Sequence, residues 1–269
     1  MKFLVTIIIA FLSLATKSQE LFSVTEPASN RAARSIGIRV DNSIMNQVGT
    51  SKINYHLIPE IMAGVSKTFM VSAGVFFSNR SGAYRYEGGS VYAKYRFLSN
   101  DVVQKHFRMA SFARISYNNS GVHQEEINMY GHNTGVEFGT VATQLLRKVA
   151  LSSSVSVLKA SDNGNNNKFV YGLDNAKAIN FTFSIGKLML PKEYSGYRQT
   201  NLNLMVEFLS QVNIGSGRYY MDIAPSVQMI FNSQARLDVG YRKQLSTTLI
   251  RTAANGFFVR LEYNFFNAL

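Results

Sequence analysis

Four polar residues between positions 123 and 132 are the densest group of potential metal ligands in the sequence. His123, Glu125, Glu126 and His132 lie within a stretch of ten residues. Imidazole and carboxylate groups together can bind divalent cations. Their spacing matches no standard metal site, however, and a polar loop exposed to solvent explains the same residues more simply. We therefore predict no metal and no other cofactor, and keep these four residues as weak candidates.

Composition excludes several other kinds of chemistry. The 269-residue chain has no cysteine, so it has no disulfide, thiolate nucleophile, cysteine metal site or lipoprotein anchor. The net charge is +12, but arginine and lysine are scattered along the chain instead of clustered on one element. A basic surface of this kind suits lipid phosphates or anionic solutes. We expect no nucleic-acid binding.

The first residues have the pattern of an export signal. Lys2 precedes an uncharged apolar run from Leu4 to Ala15, and small residues follow. This run has twelve residues, whereas a membrane-spanning helix needs about 20. We predict a cleaved signal peptide at 1–19 and one domain at 20–269 that is exported through the periplasm.

Period-two alternation of apolar and polar residues fills the remainder of the chain. In the last segment, Phe257, Val259 and Leu261 share one face and Arg260 and Glu262 the other. Such alternation indicates strands with one apolar face. The pattern predicts twelve strands, at 35–41, 54–65, 69–78, 90–97, 107–118, 133–143, 149–158, 178–189, 200–210, 218–231, 235–242 and 257–266.

An export signal, twelve alternating strands and a terminal aromatic strand together favour one fold. We predict an all-β, transmembrane, antiparallel up-and-down barrel in the outer membrane of a Gram-negative cell, with the apolar face toward lipid. Alternating long and short connections support this fold. The fourth and eighth connections, 98–106 and 190–199, are longer than expected, so ten or fourteen strands stay open. A soluble β-sandwich is the disfavoured alternative.

Charged residues on the polar face of the strands are the best functional candidates. Strand parity points nine basic and seven acidic residues into the lumen, which indicates either a polar core of ion pairs or a constriction that selects solutes. We expect a cluster of Arg96, Arg108, Arg114 and Glu137, and a mild anion preference if the lumen is wet. The basic set is Arg39, Arg80, Lys94, Arg96, Arg108, Arg114, Arg236, Arg242 and Arg260. The acidic set is Asp41, Glu60, Glu137, Glu207, Asp222, Asp238 and Glu262.

Two hairpins repeat a pattern. Pro59 and Pro225 each begin a run that crosses a three-residue polar turn and reaches a glycine, Gly74 or Gly240, fifteen positions later. This pattern resembles outer-membrane transporter barrels grouped with the MetA-pathway proteins of phenol degradation. The whole mature chain also resembles uncharacterised outer-membrane barrels of Bacteroidetes-type bacteria. The resemblance implies passage of small, apolar molecules and carries over no functional residue.

The histidines do not indicate catalysis. Outer-membrane lipases place a serine two positions after a histidine, but here Ile58, Arg108, Glu125 and Thr134 occupy those positions. A serine–histidine pair formed by distant strands stays open, although no residue stands out for it.

We therefore expect a porin-like, narrow or gated pathway for a small-molecule solute, with no enzymatic activity. The expected partners are outer-membrane lipid and the barrel-assembly machinery. The alternative is a non-conducting barrel whose extracellular loops, including 119–132 and 159–177, bind a partner.

Overall fold

The computed structural model describes residues 22–102, 105–192 and 199–269, and within them twelve antiparallel strands form a closed barrel. Each strand pairs with its neighbours in sequence, and the last strand closes the ring against the first. The predicted barrel is therefore confirmed. The strands are β1 (Ser35–Gln47), β2 (Ile53–Gly64), β3 (Phe69–Ser78), β4 (Arg85–Val102), β5 (Lys105–Asn118), β6 (Gly135–Leu146), β7 (Val149–Ala160), β8 (Lys177–Leu190), β9 (Asn201–Asn213), β10 (Tyr219–Phe231), β11 (Ala235–Thr247) and β12 (Ala253–Phe265).

The predicted strand count of twelve is correct, and the strands are mostly longer than predicted. The fourth connection seemed long because β4 continues past a bulge between Arg96 and Leu98 and ends at Val102. Part of the eighth connection, and the predicted signal peptide at 1–19, lie outside the described residues. In the described part of the chain, no helix has the length and apolarity to cross a membrane.

Alternation along each strand separates an apolar exterior from a polar interior. On β8, Phe181 and Ile185 are exposed on the outer surface, whereas the intervening Ser184 is completely buried in the lumen. Successive side chains of a strand point to opposite faces, so one polar–apolar alternation places both sets. The same division on every side of the ring is the geometry of a barrel that meets hydrocarbon outside.

Tight turns join strands at the end of the barrel that carries the chain ends. Between β10 and β11, Asn232 and Ser233 both adopt positive φ, at 51° and 56°, and Gln234 donates its N–H to the carbonyl of Phe231. Two positive φ angles define the turn whose twist matches a two-stranded hairpin. Longer connections lie at the opposite end, and those from β5 to β6 and from β7 to β8 have 16 residues each.

Two segments that are not strands occupy the lumen. We name residues 22–34 the N-terminal segment and residues 119–134, between β5 and β6, the inner loop. Glycines in the wall make room for the first: a Cβ at Gly37 would lie 2.2 Å from Nη1 of Arg31, and one at Gly64 would lie 2.1 Å from the carbonyl oxygen of Ala32. The barrel wall is therefore shaped to hold the N-terminal segment.

Candidate functional site

A single carboxylate holds the tip of the N-terminal segment. Glu207 on β9 is buried, and its two oxygens accept hydrogen bonds from the backbone N–H groups of Ser23, Val24 and Thr25 at 2.8–2.9 Å. The Thr25 hydroxyl donates a fourth bond at 2.7 Å and lies 3.0 Å from the hydroxyl of Ser184. Hydrogen bonds to a charged acceptor are the stronger kind. This contact is therefore the main polar anchor of the tip.

Ion pairs hold the rest of the N-terminal segment. Arg31 forms an ion pair with Glu262 of β12 at 2.7 Å, and Glu26 forms one with Arg39 of β1 at 2.5 Å. The ammonium group of Lys94, fully buried on β4, donates to two backbone carbonyls of the segment at 2.7 and 2.8 Å. The segment is thus attached to several strands around the ring.

The inner loop enters the lumen from the opposite end and is held by arginines. Both Glu125 and Glu126 are buried: Glu126 pairs with Arg251 at 2.6 Å and with Arg242 at 3.4 Å. Burial alone would raise the pKa of Glu126, but the two guanidinium groups hold it below its usual value. Glu126 is therefore charged and paired at neutral pH.

Aromatic and imidazole groups continue these contacts deeper in the barrel. The ring of His132 stacks on that of His56 on β2 with centroids 4.7 Å apart, and His132 Nδ1 contacts the guanidinium of Arg80. The hydroxyl of Tyr130 donates to Asp41 on β1. Burial, followed by the nearby charge of Arg80, lowers the pKa of His132 well below its usual value. His132 is therefore neutral at pH 7.

A chamber of about 330 Å³ lies between the N-terminal segment and the inner loop. Its polar side carries hydroxyl and amide groups of β7 and β8, including Ser154, Asn180 and Thr182. Apolar side chains such as Phe112 and Leu209 line other parts. Because both non-strand segments contribute to its wall, the chamber is the candidate site for a small molecule.

Charges on the chamber wall balance as neighbouring pairs. Four arginines and four carboxylates line it, and each arginine has a carboxylate within 4 Å. Buried charges are tolerated only with such partners. The pairs are Arg39–Glu26 at 2.5 Å, Arg260–Asp41 at 2.5 Å, Arg242–Glu126 at 3.4 Å and Arg114–Glu137 at 3.9 Å.

The predicted lumen residues lie on the inner side of the barrel, where most belong to ion pairs or anchor the N-terminal segment. Glu137 is partly buried, and Arg96 lies at a barrel edge, where its Nη2 donates to the carbonyl of Lys67 at 2.8 Å. The buried members are Arg39, Glu60, Lys94, Arg108, Arg114, Glu207, Asp222, Arg236, Asp238, Arg260 and Glu262.

The expected cluster of Arg96, Arg108, Arg114 and Glu137 does not form. Arg108 binds Asp101 at 3.0 Å, nearer the end of the barrel, and only Arg114 faces Glu137. Strand parity gave the face of each residue correctly, but adjacent strands are shifted along the barrel. Residues on neighbouring strands therefore share a height only where the register pairs them, as it pairs Arg114 with Glu137.

The interpretation of residues 123–132 as a solvent-exposed loop is wrong, because the inner loop is largely buried in the lumen. Its acidic residues are neutralised by arginine: Glu125 binds Arg218 at 2.6 Å, and Glu126 binds Arg251. In the described ranges, no group of three or more histidine and carboxylate side chains is arranged to hold a metal ion.

Several residues that shape the site had no signal in the sequence. Glu26 and Arg31 precede the first strand, where no alternation assigns a face, and Arg251 lies in the connection before β12. In the described part of the wall, Gly37 and Gly64 face the N-terminal segment and are a trace of it. Taken alone, each glycine in a strand also fits a bulge.

Comparisons with known proteins bear on the fold. No protein-family model matches the chain, and no curated protein matches it. Among solved structures, the KdgM porin superposes with a TM-score of 0.52 at 12% identity, over 85% of this chain and 99% of that one. The chain shares the fold of this porin. The NanC porin gives a TM-score of 0.49 at 9% identity, over 86% of this chain and 98% of that one.

Proposed function

We propose that the chain forms a gated pathway for small molecules across an outer membrane. One observation carries the proposal: two non-strand segments occupy the lumen with a chamber of about 330 Å³ between them, so the lumen is not filled by side chains of the strands alone. Segments held by hydrogen bonds and ion pairs can move without disrupting the barrel. Closure by the N-terminal segment and the inner loop therefore favours a gate.

The outer surface of the barrel supports a membrane location. Large apolar side chains on it are widely exposed, among them Ile115 at 66%, Phe138 at 64% and Val91 at 58%. Exposed surface of this kind is favourable only against lipid or another apolar partner. We propose that the predicted signal directs export through the periplasm, and that the barrel-assembly machinery inserts the chain among outer-membrane lipids.

The narrower likeness to MetA-pathway transporters and to Bacteroidetes-type barrels is part of this proposal, as is the absence of an enzymatic role. Among the described residues, His106 hydrogen-bonds Asp101 at 2.9 Å, and His132 contacts Arg80 and Gln124. Neither histidine is paired with a serine hydroxyl in these contacts. A hydrolytic serine–histidine arrangement therefore has no support from them.

The ion pairs and hydrogen bonds in the lumen favour one alternative, a non-conducting barrel. Each arginine on the chamber wall has a carboxylate partner, and the N-terminal segment is anchored at Glu207, Lys94 and Glu262. If these contacts never open, the barrel is a structural or surface-interaction protein, and the exposed connections such as residues 161–168 bind its partner.

Electrical recording in planar bilayers tests the choice. A gated pathway predicts rare, brief openings of the wild-type protein and uptake of small solutes into liposomes. Replacing Glu207→Gln removes the charge that accepts the backbone N–H groups of Ser23, Val24 and Thr25, so we expect longer openings. Glu87→Gln is the matched control, because Glu87 is a buried lumen carboxylate whose described partners are Ser78 and Arg80.

Absence of both current and uptake from the wild type and from Glu207→Gln, in protein shown to be folded by gel migration, contradicts the pathway. It would leave the non-conducting barrel as the better description.

A further inference from the structure

Three side chains at one height of the barrel form a polar row on the chamber wall. Tyr92, Arg114 and Glu137 belong to β4, β5 and β6, and the register pairs Tyr92 with Arg114 and Arg114 with Glu137. The guanidinium of Arg114 lies between two tyrosine rings, 4.8 Å from the centroid of Tyr92 and 4.7 Å from that of Tyr130. The row is therefore held rigidly by its neighbours.

Hydrogen-bonding capacity in this row is not used up by the protein. Among the described residues, the hydroxyl of Tyr92 has no partner, although the side chain is 4% exposed. The hydrogen bond described for Arg114 joins Nη1 to Ser90 Oγ at 3.2 Å, and Glu137 Oε2 lies 3.9 Å from Nε, beyond hydrogen-bond length. Buried polar groups are normally paired, so an unpaired hydroxyl on a residue that lines the chamber points to a ligand.

Apolar groups adjoin the row. The ring of Phe112 lies 5.8 Å from that of Tyr92, and Leu209 and Phe258 also line the chamber. A volume of about 330 Å³ falls at the lower end of the range of small-molecule sites, roughly 300–1,000 Å³. The volume and the lining suit a small molecule with an apolar part beside one polar group.

Charge balance decides the charge of the ligand. Four arginines and four carboxylates line the chamber as neighbouring pairs, so no wall charge is left to neutralise an ion. An ion would lose its water without gaining a counter-charge, and this loss is costly in a buried site. The balance disfavours both anions and cations.

We propose that the chamber binds an uncharged small molecule with an aromatic or short alkyl body and one hydroxyl or carbonyl group. Its oxygen accepts a hydrogen bond from the hydroxyl of Tyr92, and its body lies against Phe112 and Phe258. This identity of the solute rests on the proposed function, although binding in the chamber does not itself require conduction.

Three fluorinated probes of nearly equal shape test the charge of the ligand. We would titrate the full chain in detergent with 4-fluorobenzyl alcohol, 4-fluorobenzoate and 4-fluorobenzylammonium, and follow binding by fluorine NMR. The neutral alcohol should bind at least tenfold more tightly than either ion. Tighter binding of the benzoate or the ammonium would overturn the proposal.

A single hydroxyl locates the site. Tyr92→Phe removes only a group without a protein partner, so the barrel should fold normally while alcohol affinity falls about five- to tenfold. Tyr95→Phe is the matched control, because Tyr95 lies three positions along the same strand and is exposed on the outer surface. Equal affinity of Tyr92→Phe and wild type for the alcohol would overturn the proposed site. It would show that the signal comes from alcohol dissolved in the detergent.

Conductance of the same preparations separates this inference from the proposed function. Current without Tyr92-dependent binding leaves the pathway standing and refutes the ligand site. Tyr92-dependent binding without any current or uptake keeps the site and refutes the pathway.

Discussion

Individual residues in the lumen are bound to one another more completely than the strand pattern alone predicts. The sequence assigned the inward charges correctly by parity and anticipated extensive pairing of carboxylates and arginines. It could not assign the partners, because Arg39 pairs with Glu26, which precedes the first strand, and Arg242 with Glu126 of the inner loop. The predicted excess of positive charge disappears once these partners are included, so the anion preference has no basis in the chamber.

Arg251 is the residue whose loss should most weaken the hold on the inner loop. It forms ion pairs with Asp222 at 2.8 Å and with Glu126 at 2.6 Å, and its side chain is almost fully buried. Arg251→Gln leaves two buried carboxylates short of a partner, so we expect the free energy of unfolding to fall by about 3–5 kcal/mol. Equilibrium unfolding in denaturant measures this loss of free energy.

A second arginine that contacts the same loop provides the control. The side chain of Arg218 is 44% exposed and binds Glu125 at 2.6 Å. Because solvent screens such a pair, Arg218→Gln should cost at most about 1 kcal/mol. Similar losses in the two variants would contradict the burial difference.

The inner loop should also loosen below neutral pH. Burial and Arg80 lower the pKa of His132 in the folded protein, so the folded state binds this proton less readily than the unfolded state. Stability from the neutral ring is complete above the unfolded pKa of about 6.5 and falls as the pH drops below it. The protection of residues 119–134 against hydrogen exchange, corrected for the intrinsic exchange rate at each pH, should fall between pH 6.5 and 5.

The variant His132→Asn separates the effect of His132 on this pH dependence from the effect of the carboxylates. His132→Asn should flatten this pH dependence, whereas loss of stability from Glu126, whose pKa is lowered, begins only below its usual value of 4.5. If the corrected protection of the loop in His132→Asn still falls between pH 6.5 and 5, another group controls the loop.

At the scale of the elements, alternation predicted all twelve strands but not their full lengths. β1 was predicted to stop at 41 and β11 at 242, and both continue by five or six residues. The alternation of β1 is interrupted at Asn42 and Ser43, which are both polar although they point to opposite faces. It resumes with Ile44, exposed on the outer surface, and Met45, which is buried. The N-terminal segment escaped prediction since it has no period, and Thr25 meets Glu207 from 182 positions away.

Adjacent residues on β8 test the assignment of faces. Phe181 is 52% exposed on the outer surface, and Thr182 lines the chamber. Phe181→Arg should destabilise the barrel by about 2–4 kcal/mol if it lies near the bilayer midplane. Thr182→Arg should cost less, because its guanidinium enters a chamber lined by polar and charged groups and not hydrocarbon. Refolding into lipid vesicles gives both values, and equal costs would contradict the assignment.

Asn203 also lies on the polar face, but it is not a suitable second control for substitution by arginine. Asn203 on β9 also points inward, but it is fully buried and donates to Gln228 at 2.9 Å. Asn203→Arg should therefore be costly although it lies on the polar face. The lumen is tolerant only where the chamber leaves space.

The whole molecule combines a continuous wall with two inner segments held mainly by polar contacts. The wall is continuous, since β12 pairs with β1 along its length. The N-terminal segment lies in the lumen toward the end that carries the chain ends, and the inner loop enters from the other end. Hydrogen bonds and ion pairs hold each segment, so displacing either one would leave the strand pairs intact.

Locking the N-terminal segment in place with a disulfide tests the proposed gate most directly. The chain has no cysteine, and the hydroxyls of Thr25 and Ser184 lie 3.0 Å apart, so Thr25→Cys with Ser184→Cys places two sulfurs close to disulfide distance. Ser111→Cys with Thr140→Cys is the control: these hydroxyls, 3.5 Å apart, join β5 to β6 without lining the chamber or touching the segment. We predict that oxidation abolishes single-channel current in the first pair, that a reductant restores it, and that the control conducts in both states. Equal currents before and after oxidation, with the Thr25–Ser184 crosslink verified by mass spectrometry, would contradict the gate.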